Sequence, residues 1–300
     1  MLFKDSDTSR KQVYGKHILS LLLFGFNGII ASRIFLSSYA IVLMRTLIGG
    51  GFLLLVFIFK KEKFYIFQNK RQLRFIVISG LAMGASWMLL YEAYTKIGVS
   101  FATLAYYCGP VIVMFLSPFI FHERMVFSKI LGFLSVLVGM LCVNGLSLLR
   151  EGLSWGLFCG ILSAVMYAVM VIFNKKATGI NGLENALCQL CVSFAAVGFF
   201  TLIKEGGGMV LPGVESLLPI LFLGIVNTGI GCYLYFSSIP KMSAQTVSIL
   251  GYIEPLSALL FATFFLHERL SIVQGIGAVL ILGGAAFGEL FHKKELKKVE

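Results

Sequence analysis

Glu254 stands directly before Pro255, close to the centre of the apolar run 243–266. A charge at the middle of a bilayer costs roughly 2.5–3.5 kcal/mol on insertion scales. An acid placed there needs a cavity, a partner or a proton, which makes Glu254 the first candidate to meet a substrate or a coupling proton. Arg45, in the stretch AIVLMRTLIGG, is the first candidate to pair with it. A structural ion pair is the favoured role for Arg45, ahead of anion binding. Glu92, near the outer end of the run 73–95, is a second acid available to Arg45, and Trp87, Tyr91 and Tyr94 beside it follow helical spacing as one aromatic stripe. Trp87 lies deep enough to line a cavity, whereas Tyr91 and Tyr94 suit an interfacial belt. Asn27, Tyr107, Tyr167, Asn227 and Tyr252 add polar groups within other apolar runs. Each needs a hydrogen-bond partner, on a neighbouring helix or on a substrate. Pro110 and Pro255 fall near the middles of the runs 98–121 and 243–266. Proline removes a helical hydrogen bond and bends the helix. Both are hinge candidates, with a fixed packing bend as the alternative. Together these residues describe a binding site of mixed polar and aromatic character.

Bond-making chemistry has no comparable set. There is no G-x-S-x-G and no phosphate-binding Gly-x4-Gly-Lys loop. His122-Glu123-Arg124 and His267-Glu268-Arg269 begin like H-E-x-x-H, but Val126 and Ser271 occupy the place of the second histidine. Each glutamate instead stands just before a following helix, where a carboxylate favours the positive helix end. No histidine is expected inside a membrane run. Cys188 and Cys191 form a C-x-x-C with no second ligand pair, and all six cysteines fall in apolar segments. The expectation is therefore a non-enzyme without metal or cofactor.

The elements that must position these residues are membrane helices. The chain of 300 residues is 58% hydrophobic and 13% charged, against about 25% charged in soluble domains. Runs of about 20 apolar residues, the length that crosses a bilayer, fall at 17–33, 38–59, 73–95, 98–121, 128–147, 154–174, 184–203, 215–237, 243–266 and 271–291. The basic residues at the N-terminus precede an uncleaved first helix. Lys and Arg divide as nineteen on the side of the two termini and five on the other, with Arg45 inside a run. That places both termini in the cytoplasm of a multi-pass cell-membrane protein. The net charge of +11 is thus an orientation signal, with no nucleic acid as partner.

The segment 107–139 recurs at 252–284. Tyr107, Pro110, Phe119, His122, Glu123, Arg124, Gly132, Leu137 and Gly139 meet Tyr252, Pro255, Phe264, His267, Glu268, Arg269, Gly277, Leu282 and Gly284 without a gap. Gly109 meets Glu254, so the symmetry breaks at the charged position. Five runs per half make the second copy enter the membrane from the opposite face. Inverted repeats of this kind mark secondary transporters, with the substrate site between the halves near the midplane.

Four features carry a resemblance to the ten-helix EamA type of the drug/metabolite transporter superfamily. They are Phe24–Asn27 in the first run, Arg45 in the second, the paired segments GPVIVMFLSPFIFHER and EPLSALLFATFFLHER, and the small-residue helices LGFLSVLVG and QGIGAVLILGG. The resemblance covers essentially the whole chain. It implies an all-α integral membrane protein of ten transmembrane helices, arranged as two inverted five-helix repeats over 1–147 and 148–300. It also implies a central cavity and movement of a small organic metabolite. An amino acid or related amphipathic solute is expected, exported rather than taken up, with protons as a candidate coupling ion. An intramembrane enzyme, and a channel or membrane scaffold, are the rival classes. The expected partners are the small-molecule substrate and the lipid bilayer.

Overall fold

The computed structural model describes residues 2–97, 99–144, 154–205, 212–266 and 271–299, and they contain helices and no strand. The first crossing is α1 (Leu2–Gly25) continued, after Phe26, by α2 (Asn27–Ala31). Next come α3 (Ser38–Phe59) and α4 (Lys70–Ile97). The fourth crossing is α5 (Val99–Tyr106) and α6 (Cys108–Phe121), and the fifth is α7 (Phe127–Asn144). In the second half α8 (Trp155–Lys176) and α9 (Gly182–Glu205) precede a composite eighth crossing. That crossing is α10 (Val214–Phe222), a π-helical stretch (Leu223–Ile230) and α11 (Gly231–Ser238). The ninth is α12 (Ala244–Gly251) and α13 (Ile253–Leu266), and the tenth is α14 (Ile272–Val299). Seven of these runs are long and apolar enough to cross a membrane, and three shorter apolar helices bring the set to ten. Phe115, Phe119, Phe264, Ile272, Val279 and Leu282 are exposed. An outer surface this apolar is a face for lipid.

The inversion is visible in the contacts. A Cβ added at Gly132 would lie 2.5 Å from the Gly284 carbonyl oxygen, and one at Gly284 would lie 2.6 Å from that of Gly132. Seven residues on, Gly139 approaches Gly277 in the same way, at 2.6 Å. Numbers rise along α7 as they fall along α14, so these equivalent helices run antiparallel. Ser135 donates to the carbonyl of Leu280 at 3.1 Å, and Tyr252 donates through its hydroxyl to the carbonyl of Tyr107 at 2.8 Å. Both pairs are separated by 145 residues, the offset of the repeat. A residue touches its own equivalent only beside a two-fold axis. The rest of the packing obeys the same exchange: α8 packs on α4 and α6, as α1 packs on α11 and α13.

Pro110 and Pro255 do not bend continuous helices. The fourth crossing is interrupted at Tyr107 and the ninth at Tyr252, and each proline sits in the first turn of the new helix. Backbone N–H groups there have no partner within the helix, so proline loses little at that position. At the second break the backbone bonds from Tyr252 to Ile249 and from Leu256 to Tyr252 are both stretched to 3.4 Å.

The glycine seam gives a stability test. Gly132→Ala forces a side chain into backbone and should destabilise the protein by about 1–3 kcal/mol, read as a lower unfolding midpoint in detergent. Gly283→Ala, where an added Cβ meets nothing within 4 Å, should stay at or above the wild-type midpoint.

Candidate functional site

Three crossings are broken inside the bundle, and their broken ends meet. Phe24 and Asn27 flank the interruption at Phe26, Tyr106 precedes the one at Tyr107, and Glu254 follows the one at Tyr252. All four line one cavity of about 450 Å³, part of it open to solvent, together with Arg45, Met83, Trp87, Tyr167, Met170, Cys232, Tyr235 and Phe236. The cavity therefore draws on α3, α4, α8 and α11 as well as on the broken helices. Its floor and sides are aromatic and sulfur-bearing, and its two charged groups are one guanidinium and one carboxylate.

Arg45 is 5% exposed. Its Nε donates to Thr228 Oγ1 at 2.9 Å, and Nη2 reaches Asn27 Oδ1 at 3.5 Å. The guanidinium carbon lies 4.8 Å from the centre of the Trp87 ring, a cation–π contact. Thr228 is held in turn by the π-helical stretch, where its hydroxyl donates to the carbonyl of Leu223, five residues back, at 2.8 Å. Asn227 uses both amide hydrogens, one on Asn27 Oδ1 at 3.0 Å and one on the Leu23 carbonyl at 2.8 Å. The ion pair expected between Arg45 and Glu254 is not formed. Ion pairs do form elsewhere, between Lys175 and Glu123 and between Lys204 and Glu92. Neutral partners on the first and eighth crossings, with the Trp87 face, hold the guanidinium on its own side of the cavity.

Glu254 hydrogen-bonds through its side chain to no described residue, and its carboxylate faces the cavity. Its repeat equivalent must be glycine. A Cβ at Gly109 would fall 2.6 Å from the Tyr167 ring, so the space a second acid would need is filled by an aromatic wall. Tyr167 bonds hydroxyl to hydroxyl with Tyr235 at 3.1 Å.

The remaining sequence candidates lie off the cavity wall. Glu92 is buried, accepts from the Tyr39 hydroxyl and lies 3.6 Å from Lys204, tying α3, α4 and α9 together. Tyr91 packs edge-to-face on Tyr94 at 5.3 Å. Tyr107 and Tyr252 are buried at the two-fold, where the Tyr252 hydroxyl donates to the Tyr107 backbone carbonyl. Asn227 acts behind Asn27. His17 is a second correction to the sequence reading. The first helix begins well before residue 17, and the ring is buried inside the bundle. There it stacks on Tyr235 at 5.1 Å and shares a 2.8 Å hydrogen bond with Ser238. Met83, Tyr106, Met170, Tyr235 and Phe236 were not singled out from sequence, and Phe24 entered only as a residue of the family resemblance. Apolar and aromatic residues carry the same pattern whether they face lipid, core or cavity.

The bundle end that carries the 4–5 turn is tied across both repeats. His122 takes a left-handed conformation, φ 53°, and turns the chain out of α6. Glu123 then caps α12 rather than the next helix in sequence, accepting from the backbone of Ala244 at 2.7 Å and of Gln245 at 3.2 Å. Lys175 lies 3.6 Å from the same carboxylate and donates to the Met242 carbonyl. The repeat equivalents His267, Glu268 and Arg269 lie outside the described residues.

The EamA-like transporter family matches residues 15–145 and, a second time, 154–288. The chain belongs to that family. An uncharacterized transporter of Bacillus subtilis (strain 168), YxxF, is 25% identical over 90% of this chain and 87% of its own. A protein of Salmonella typhimurium (strain LT2) named as a probable amino-acid metabolite efflux pump is 25% identical over 79% of this chain and 83% of its own. A solved crystal structure superposes with a TM-score of 0.80 at 18% identity, over 94% of this chain and 98% of that one, and shows the fold alone. This EamA-like chain is a multi-pass membrane protein of a transporter family.

Removing the Glu123 cap tests the cross-repeat tie. Glu123→Ala leaves two backbone N–H groups of α12 and the Lys175 ammonium without their carboxylate. It should cost about 1–2 kcal/mol, read as a lower unfolding midpoint, with Glu123→Gln intermediate.

Proposed function

We propose that this chain is a secondary transporter that exports an amino acid or a related amphipathic metabolite by alternating access. The observation that carries the reading is the cavity where three broken crossings meet. It presents one cation, Arg45, and one anion, Glu254, on walls that are otherwise aromatic and methionine-rich. A zwitterion with an apolar side chain offers a complement to each of these features. The name of the Salmonella relative supports both solute class and direction. In this reading both termini are cytoplasmic, following the Lys and Arg distribution. The Glu123–Lys175–α12 tie then closes the cytoplasmic end, and the halves rock about the two-fold to exchange access. Glu254 is the proton-coupling group, because its carboxylate lines the cavity with no hydrogen-bond or ion-pair partner among the described residues. Tyr107 and Tyr252, with Pro110 and Pro255 just beyond them, form the hinges.

Purified protein in proteoliposomes, offered a panel of labelled metabolites with and without an imposed pH gradient, tests the reading directly. Saturable uptake of an amino acid, stimulated by the gradient, is the expected outcome; no movement of any panel member would count against transport of this class. In the same vesicles Glu254→Gln should lose the gradient-driven component while still folding, and Glu254→Asp should keep part of it. A Gln variant with wild-type rate and pH dependence makes Glu254 structural. Orientation has its own check: reporters fused after residue 300 and within 206–208 should report opposite sides of the membrane. The same side for both would refute the orientation.

A further inference from the structure

Arg45 has an unusual position for a buried cation. It is nearly inaccessible, yet its protein partners are a hydroxyl, an amide oxygen and an indole face, all neutral. The charged group that shares its cavity, Glu254 on α13, stands beyond ion-pairing distance. A buried charge without a counter-ion is strongly unfavourable. Arginine presents five N–H donors in a planar fork suited to bidentate binding of a carboxylate. Thr228 takes Nε from behind and Asn27 takes one hydrogen of Nη2. Nη1 has no hydrogen-bond partner among the described residues.

We infer that Arg45 is the receptor for a carboxylate on the transported solute, and that Thr228 is the residue that aims it. The inference rests on the cavity being the substrate site, and it replaces the structural ion pair expected for Arg45. Thr228 owes its orientation to the π-helical stretch. Widening the turn sends its hydroxyl hydrogen five residues back to Leu223, so a lone pair is left for Arg45 Nε. π-Helical turns inside α-helices are frequent at functional sites. Asn227, one residue earlier on the same stretch, fixes Asn27 through a 3.0 Å bond and so steadies the second contact. With Nε and part of Nη2 engaged, the open edge of the guanidinium is the one that takes an incoming anion. The solute is then held by its carboxylate on the α3 wall, with its apolar part over Trp87 and the methionines.

The chain has two tryptophans, Trp87 and Trp155. Trp155 is exposed and off the cavity, so a Trp155→Phe background leaves Trp87 as a fluorescent reporter directly beneath Arg45. Three matched probes are titrated in detergent: 3-phenylpropionate, its uncharged amide, and 3-phenylpropylamine. The expected result is saturable quenching by the propionate, with the amide and the amine at least about tenfold weaker, as loss of a charge-assisted bidentate contact demands. Thr228→Val should weaken propionate binding by about tenfold, and Thr228→Ser, which keeps the hydroxyl, should restore it to within about threefold. Equal affinity for propionate and amide, absence of propionate binding, or a Val variant that titrates like the parent each overturns the inference. The comparison of acid with amide needs no variant at Thr228, so poor folding of Thr228→Val leaves the test standing. Vesicles that move only solutes without a carboxylate, with no propionate binding, would sink this inference and spare the transport reading. Propionate binding without movement of any solute would do the reverse.

Discussion

Hydrocarbon offers no hydrogen bonds, so a helix interrupted within it leaves backbone groups that must find partners nearby. That constraint organises this protein. The chain breaks at Phe26, Tyr107 and Tyr252, and the breaks face one another around the cavity instead of facing lipid. Two of them, at Tyr107 and Tyr252, are equivalents joined by a hydroxyl-to-carbonyl bond on the two-fold. The carbonyl released by one break is thereby satisfied by the side chain at the other. The prolines that follow are tolerated because they open new helices.

The two-fold scaffold sets where a site can form, and departures from the symmetry make it chemically useful. Gly109 and Glu254 occupy equivalent places, and Tyr167 fills the volume that a first-half acid would require. The site therefore has one carboxylate. The eighth crossing departs from regular α-helix at the stretch that carries Asn227 and Thr228, and these two residues govern Asn27 and Arg45. The close Gly132–Gly284 and Gly139–Gly277 approaches, by contrast, keep the symmetry almost unbroken. A packing seam gains from equivalence, and a site for an asymmetric solute gains from its loss.

Much of this was legible in the residues. Length and apolarity of the runs fixed ten crossings, because bilayer thickness admits few alternatives. The recurrence of 107–139 at 252–284 and the odd number of runs per half gave the inversion, which the antiparallel α7–α14 seam displays. Glu254, Trp87, Asn27 and Tyr167 stood out as polar or aromatic groups in apolar runs, and all four line the cavity. Glu92, Tyr91, Tyr107 and Tyr252 stood out by the same signal and lie off its wall. A buried polar group announces that it needs a partner, and the chain alone does not say whether that partner is protein or solute.

Tertiary structure decided which protein groups meet, because each contact depends on a neighbour far away in sequence. Arg45 meets Thr228 across 183 residues and not Glu254. Glu123 caps α12 across 121 residues and not the adjacent helix. His17 is enclosed by Tyr235 and Ser238, on a helix whose start the hydropathy pattern placed too late. Local composition determines which segments enter the membrane, since insertion is a property of about twenty consecutive residues. Which polar group faces which is set only when ten helices pack, and the cavity comes into being with that packing.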